Sequence, residues 1–208
     1  MKNKAITLVE LLIVVAILIL VAALLFPVLS RSKKAARGTA CTSNLRQAYV
    51  AWSLYSEGND GRVPLYIKEF IDRPSEFMII KCPLDDFDPG ANRDASIATG
   101  KKVSYEYPYP IPDFWLKLEE ADPNHGILVC VLHGERFGPS LTSSALMDTE
   151  GLVMRLRKDG SVSRAQVGRV CSGAPGLGVA MFRSTWTLMT DEWPCPEPYC
   201  AAGSYKCP

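Results

Sequence analysis

Residues 6–29 read ITLVELLIVVAILILVAALLFPVL, and the basic stretch SRSKKAAR follows them directly. No polar residue interrupts the run from Leu11 to Phe26. With its apolar flanks the run reaches the roughly 20 residues that a membrane-spanning helix needs. A cleavable secretory signal would show a small-residue site after its apolar core, but here Pro27 and the basic stretch follow. The sequence therefore predicts a membrane helix that stays attached to the chain.

The overall composition indicates an exported domain behind this helix. The chain has 208 residues, including seven cysteines, and a formal net charge of +1. So many cysteines favour an oxidising compartment. The near-neutral charge argues against a nucleic-acid partner, which would require a basic face. The two histidines have no nucleophile in a recognisable arrangement, so the sequence predicts no enzyme activity.

Glu10 is the residue that a simple membrane anchor does not explain. A carboxylate inside an apolar membrane helix costs about 2.5–3.5 kcal/mol on insertion scales. One interpretation places Glu10 at the level of the lipid headgroups, where the helix begins. However, Glu10 also follows a short basic leader, residues 2–5 (KNKA), at a fixed distance.

This arrangement resembles the processing site of type IV prepilins and type II secretion pseudopilins. The resemblance implies cleavage between Ala5 and Ile6 by a prepilin peptidase, followed by N-methylation of Ile6. Glu10 then becomes the fifth mature residue and is implied to act in assembly. Pro27 becomes the twenty-second, where these proteins commonly carry a helix-kinking proline. Ala5 and Ile6 stand where the family usually has Gly and Phe.

The resemblance implies a structural subunit of a type IV pilus or a type II secretion pseudopilus. Its implied partners are other pilin or pseudopilin subunits, the prepilin peptidase and the inner-membrane assembly platform. The implied location is the inner membrane, with a cytoplasmic N-terminus and an extracytoplasmic head, and then the filament. The basic residues after the span oppose this orientation under the positive-inside rule, but the motif and the cysteine content favour it. The alternative function is a single-pass, membrane-anchored extracytoplasmic binding domain that does not polymerise.

After the span, apolar residues recur at steps of three and four, which predicts an amphipathic helix that faces a core. They are Cys41, Leu45, Ala48, Tyr49, Trp52 and Tyr55. Residues 58–61 (GNDG) predict the end of this helix. The predicted domains are a leader (1–5), a transmembrane and assembly helix (6–29), its amphipathic continuation (30–57), an α+β head (58–167) and a tail rich in Gly, Pro and Cys (168–208).

The predicted fold class is α+β, with the long helix packed on a small antiparallel β-sheet and an irregular Cys-rich tail. The clearest hairpin joins residues 152–157 to 162–167 through the turn residues Asp159 and Gly160. Other predicted strands lie at 77–81, 103–107, 127–132 and 186–189.

Three segments resemble those of a large bacterial group of prepilin-like proteins. They are residues 41–47 (CTSNLRQ), residues 82–85 (CPLD), and Asp159-Gly160 with His125 or His133 upstream. The distance from either histidine to Asp159-Gly160 exceeds the nine residues usual in that group.

The cysteines of the first two segments predict a disulfide. If the strand before Cys82 packs against the helix, Cys82 and Cys41 come within bridging distance. The alternative for Cys41 is a buried free thiol. Cys130 is predicted to be a buried thiol within its strand.

The remaining candidate sites lie in the tail and in an acidic loop. Further disulfides are predicted among Cys171, Cys195, Cys200 and Cys207, and zinc is not, because the tail lacks a C-x-x-C pair. Asp85, Asp86 and Asp88 could bind calcium, although a solvated turn explains them as well. No other metal or cofactor is predicted.

Overall fold

The computed structural model describes residues 8–71, 79–86, 90–107, 112–136, 149–167, 170–172, 180–182, 185–195 and 205–206. The chain forms two compact units, Met1–Thr39 and Ala40–Pro208. One continuous helix, α1 (Leu8–Gly58), begins in the first unit and ends in the second. This confirms the predicted long N-terminal helix.

In the first unit, α1 carries the apolar run. Its large apolar side chains between Leu8 and Leu29 are exposed, with fractions from 46% to 77%. By length and composition the helix can cross a membrane. A helix that is apolar on all sides requires lipid or other protein around it.

The second unit, here called the head, contains the other elements. The helices are α2 (Ile67–Phe70), α3 (Arg93–Thr99), α4 (Pro112–Ala121) and α5 (Thr185–Met189). The strands are β1 (Gly126–Cys130), β2 (Glu135–Arg136), β3 (Thr149–Arg157), β4 (Val162–Val167), β5 (Val170–Ser172), β6 (Ala180–Phe182) and β7 (Tyr205–Lys206).

The main sheet is antiparallel and centred on β3. On one side, β3 pairs with β4 from Gly151↔Val167 to Leu156↔Val162, which confirms the predicted hairpin. On the other side, β3 pairs with β1 and, nearer its start, with β2. The α+β fold class is therefore confirmed.

The sheet is covered on both faces, so β1 is buried at all five of its positions. Leu128 and Cys130 belong to the same core as the buried stripe of α1, which includes Cys41 and Leu45. This confirms that the amphipathic part of the predicted helix faces a core.

The opposite face of the sheet packs against α4 and α5. Val129 and Val153 share a second core with Leu118 of α4 and with Trp186 and Met189 of α5. Because alternate residues of a strand point to opposite faces, the register of β1 directs Cys130 towards α1 and Val129 away from it.

Three strand predictions are wrong. In the strand predicted at 77–81, Ile79 and Ile80 form a turn, and residues 77 and 78 lie outside the described residues. The segment 103–107 contributes a single bridge, between Glu106 and Val129. Residues 186–189 belong to helix α5, since a short apolar run has no periodicity that separates helix from strand.

The expectation of an irregular tail is also wrong for the described residues. Strand β5 pairs antiparallel with both β6 and β7 in a second sheet. These strands have only two or three residues each, too short for an alternating pattern to be recognised in the sequence.

Candidate metal centre

Four side chains of the head converge on one point, and we call them the Cys3His cluster: Cys41, Cys82, Cys130 and His133. Their sulfur and ring-nitrogen atoms all lie within 4.8 Å of one another. The three cysteines are fully buried, whereas His133 is half-buried. The residues come from α1, from the loop 79–86 and from the end of β1, so the tertiary fold assembles the cluster.

Helix α1 positions both the first sulfur and the loop that carries the second. Cys41 lies on the buried stripe, and Asn44 follows it by one helical turn. The Asn44 side-chain amide donates a 2.9 Å hydrogen bond to the carbonyl of Lys81. Since Cys82 follows Lys81 directly, this bond holds its sulfur beside the helix.

The loop 79–86 is also anchored on its other side. The backbone N–H of Cys82 donates to Ser104 Oγ at 2.8 Å, and Ser104 Oγ donates to Asp85 Oδ2 at 2.6 Å. The same carboxylate oxygen accepts a 2.9 Å bond from the N–H of Ala91. The Lys81 carbonyl and the Cys82 N–H therefore bind side chains, and the Ile80 carbonyl accepts a single backbone bond, from the N–H of Ser104 at 2.9 Å. One backbone bond to the segment 103–107 does not make a strand pair, which explains why 79–82 is not a strand.

This network bears on the calcium prediction. The Oδ2 atom of Asp85 is engaged by Ser104 and Ala91, and Asp85 is buried. Asp86 is exposed, and Asp88 lies outside the described residues. Asp85 therefore has a structural role in the loop, and calcium binding by this loop stays a prediction.

The third sulfur and the imidazole come from a single short segment. Strand β1 ends at Cys130, and the Cys130 side chain lies on the sheet face that packs against α1. The chain then turns after Val131 and Leu132. The turn brings His133 Nε2 to 3.8 Å from Cys82 Sγ. The spacing Cys130-x-x-His133 thus delivers two ligand atoms to the same point.

Two hydrogen-bond donors point at the sulfurs. The backbone N–H of Leu84 lies 3.5 Å from Cys82 Sγ, and the hydroxyl of Tyr105 donates to Cys41 Sγ at 3.6 Å. Donors of this kind stabilise thiolates and orient them towards a metal.

The sulfurs are unequal as acids. Hydrogen bonding from Cys130 and Cys41 lowers the pKa of Cys82 below its ordinary value. Burial raises the pKa of Cys130 well above its ordinary value. Cys130 lowers the pKa of Cys41, but the contact with Cys82 and burial together outweigh this effect and raise the pKa above its ordinary value. Cys82 is therefore the most acidic of the three thiols.

The predicted bridge between Cys41 and Cys82 is wrong, because both cysteines are free. The two sulfurs do come together as the sequence suggested. The physical reason for the difference is that Cys130 Sγ and a ring nitrogen of His133 lie within 4.8 Å of both sulfurs, so Cys41 and Cys82 belong to a group of four ligand atoms rather than to an isolated pair. Cys130 is a buried free thiol, as predicted.

The structure places the other sequence-predicted residues as follows. Glu10 lies in the first turn of α1 and Pro27 lies within that helix. Cys195 is disulfide-bonded, as predicted, and its partner lies outside the described side chains. Cys171 lies in β5, whereas Cys200, Cys207, Ala5 and Ile6 lie outside the described residues.

The two histidines have different surroundings. His125 is fully buried, which lowers its pKa, and its Nδ1 lies 3.0 Å from the carbonyl of Asp122. The carbonyl of His125 accepts a bond from the N–H of Lys158. His125 therefore adjoins the turn that contains Gly160, whereas His133 belongs to the Cys3His cluster.

The Cys3His cluster was not identified from the sequence as a metal site. A search for paired cysteines in the tail finds nothing, but Cys130 and His133 are separated by two residues, a spacing typical of zinc ligands. The spacing of Cys130 and His133 could therefore have indicated two of the four ligands from the sequence alone. The contribution of Cys41 and Cys82 could not be read in the same way, since they lie far away in the sequence.

Comparison of the chain with protein-family models, curated proteins and solved structures gives no match. Its function is therefore inferred from its own residues.

Proposed function

We propose that this protein is a structural subunit of a type IV pilus or a type II secretion pseudopilus. The observation that carries the proposal is helix α1, which continues without interruption from Leu8 to Gly58. Its apolar side chains up to Leu29 are exposed, whereas the stripe from Cys41 to Trp52 is buried in the head. One helix thus contains an assembly segment and the support of a folded domain.

The exposed segment suits both environments that a pilin-like subunit must occupy. In a bilayer, lipid chains cover the apolar side chains, and every backbone polar group is satisfied within the helix. In a filament, the equivalent helices of neighbouring subunits cover the same surface. The subunit can therefore pass from one environment to the other without refolding.

Glu10 supports polymerisation over simple anchoring. Its carboxylate lies in the first turn of the apolar helix, where lipid is an unfavourable environment. Cleavage after Ala5 would create an amine on Ile6, and a neighbouring subunit in a filament can present that amine to Glu10. The pairing stabilises the filament, because charge attraction is strong where water is excluded.

The cysteines support an extracytoplasmic head. Cys195 is disulfide-bonded, and such bonds persist in oxidising compartments. This orientation places the leader in the cytoplasm, where a prepilin peptidase cleaves it. It opposes the positive-inside rule, since basic residues including Arg31 and Arg37 follow the apolar run.

The proposal is tested by the mass of the mature N-terminus. Expressed with a prepilin peptidase, the protein is expected to begin at Ile6 and to carry one methyl group on its amine. Ala5→Leu is the matched control, because a bulky residue before the cut is expected to block processing. A non-polymerising anchor needs neither reaction.

The decisive comparison uses a host whose own pilin is processed in the same cells. An intact leader on this protein, beside a processed host pilin, would contradict the proposal and favour the anchored binding domain.

A further inference from the structure

We propose that Cys41, Cys82, Cys130 and His133 bind one zinc ion in a closed tetrahedral site that fastens α1 to the sheet. The proposal rests on the head alone and is independent of filament assembly. The four residues, their burial and their hydrogen-bond donors carry it.

The first step is geometric. Zinc bonds of about 2.3 Å to sulfur and about 2.0 Å to nitrogen imply tetrahedral edges of roughly 3.5–3.8 Å between ligand atoms. The measured separation of Cys82 Sγ from His133 Nε2 is 3.8 Å, and no pair of the four atoms exceeds 4.8 Å. Side-chain movements of about 1 Å or less would close the tetrahedron around an ion.

The second step identifies the metal. Thiolate and imidazole ligands in a tetrahedral arrangement select zinc, whereas calcium and magnesium prefer oxygen ligands. Four protein ligands leave no open position for water or substrate, which is typical of structural zinc rather than catalytic zinc. The ion would therefore stabilise the fold.

The third step concerns charge. A buried group of thiolates is unfavourable without a cation, because the low-dielectric interior does not solvate it. Zinc supplies two positive charges against three thiolates and a neutral imidazole, which leaves one net negative charge. The N–H of Leu84 and the hydroxyl of Tyr105 face the sulfurs and stabilise this remaining charge.

The fourth step explains why the cysteines of the cluster are free whereas Cys195 in the tail is disulfide-bonded. Three sulfurs cannot all pair with one another, so a disulfide within the cluster would leave one thiol over. Zinc instead engages all three thiolates at once and joins segments far apart in sequence. The chain would then have metal-bound cysteines around α1 and at least one disulfide in the tail, at Cys195.

The test measures zinc in the full-length protein purified in detergent without chelators. We expect about one zinc ion per chain in the parent protein and a loss of at least roughly tenfold in Cys130→Ser. His133→Gln is expected to lower zinc affinity by roughly 10–100-fold. His125→Gln is the matched control, because this buried histidine lies outside the cluster, and it is expected to retain the zinc.

A second measurement covers the case in which Cys130→Ser does not fold. The parent protein, stripped of metal and reloaded with cobalt(II), is expected to show sulfur-to-cobalt charge-transfer bands and the intense visible bands of a tetrahedral site. Folded parent protein that takes up neither zinc nor cobalt would overturn the proposal. So would a disulfide between any two of Cys41, Cys82 and Cys130 in a non-reducing peptide map of folded protein.

Discussion

Arg155 is a fully buried arginine on β3, directed to the sheet face that α5 covers. Its guanidinium donates to the carbonyls of Leu188 at 2.8 Å and Thr190 at 3.4 Å. It also lies 3.1 Å from a carboxylate oxygen of Asp191, which is 66% exposed. Burial lowers the pKa of Arg155, and Asp191 partly restores it. The buried charge thus ties the end of α5 to the sheet.

We expect Arg155→Met to destabilise the head by about 2–4 kcal/mol, because two buried carbonyl groups lose their donor. Asp191→Asn is the matched variant of the exposed partner and is expected to cost about 1 kcal/mol or less, since solvent screens that pair. Thermal unfolding of the full-length protein in detergent measures both. Equal losses would show that the ion pair, and not the carbonyl bonds, is the main stabilising interaction.

At the scale of elements, the β3–β4 hairpin packs against α1 through its turn. Gly160 has a φ of 81°. A Cβ atom there would lie 2.7 Å from the ring of Tyr49, which belongs to α1. The turn therefore requires glycine for two reasons, its left-handed backbone and its close approach to the helix.

We expect Gly160→Ala to lower the free energy of unfolding by about 2–4 kcal/mol, through backbone strain together with overpacking. Gly100→Ala is the control, because Gly100 has a φ of 65° and no atom near its missing Cβ. It is expected to lose only the backbone contribution, about 1–2 kcal/mol.

A double-mutant cycle separates the two contributions to the effect of Gly160→Ala. In a Tyr49→Ala background, the loss caused by Gly160→Ala should fall to that of Gly100→Ala. An unchanged loss in that background would contradict the packing argument.

The elements also show which features a sequence can predict. The stripe of α1 and the hairpin around Gly160 were predicted because periodicity and turn chemistry are local properties. The segment before Cys82 was assigned wrongly because its backbone binds Asn44 and Ser104, which are distant in sequence. The third sulfur of the cluster depends on which face of β1 meets α1, and that follows from sheet packing rather than from local pattern.

At the scale of the whole molecule, the two segments of α1 have different surroundings. Its N-terminal segment exposes only apolar side chains around Glu10, whereas its C-terminal segment contributes Cys41 to the core of the head. Each part shows the hydrophobic pattern that its surroundings demand. Under the proposed function, membrane insertion and filament assembly would depend on the first part, whereas head stability depends on the second.

We expect Glu10→Ala to preserve membrane insertion and to reduce assembly by roughly tenfold or more, since the loss of about 1.4 kcal/mol per contact already shifts an equilibrium tenfold. The reason is that the substitution removes a charge that lipid disfavours and that, in the proposed filament, would pair with the amine of Ile6. Glu57→Ala is the control, because Glu57 is an exposed carboxylate on the same helix but within the head unit. Immunoblots of carbonate-washed membranes and of sheared filaments measure the two steps separately. If Glu10→Ala assembles as well as Glu57→Ala, Glu10 is only an interfacial residue of an anchor, and the filament proposal loses its main electrostatic support.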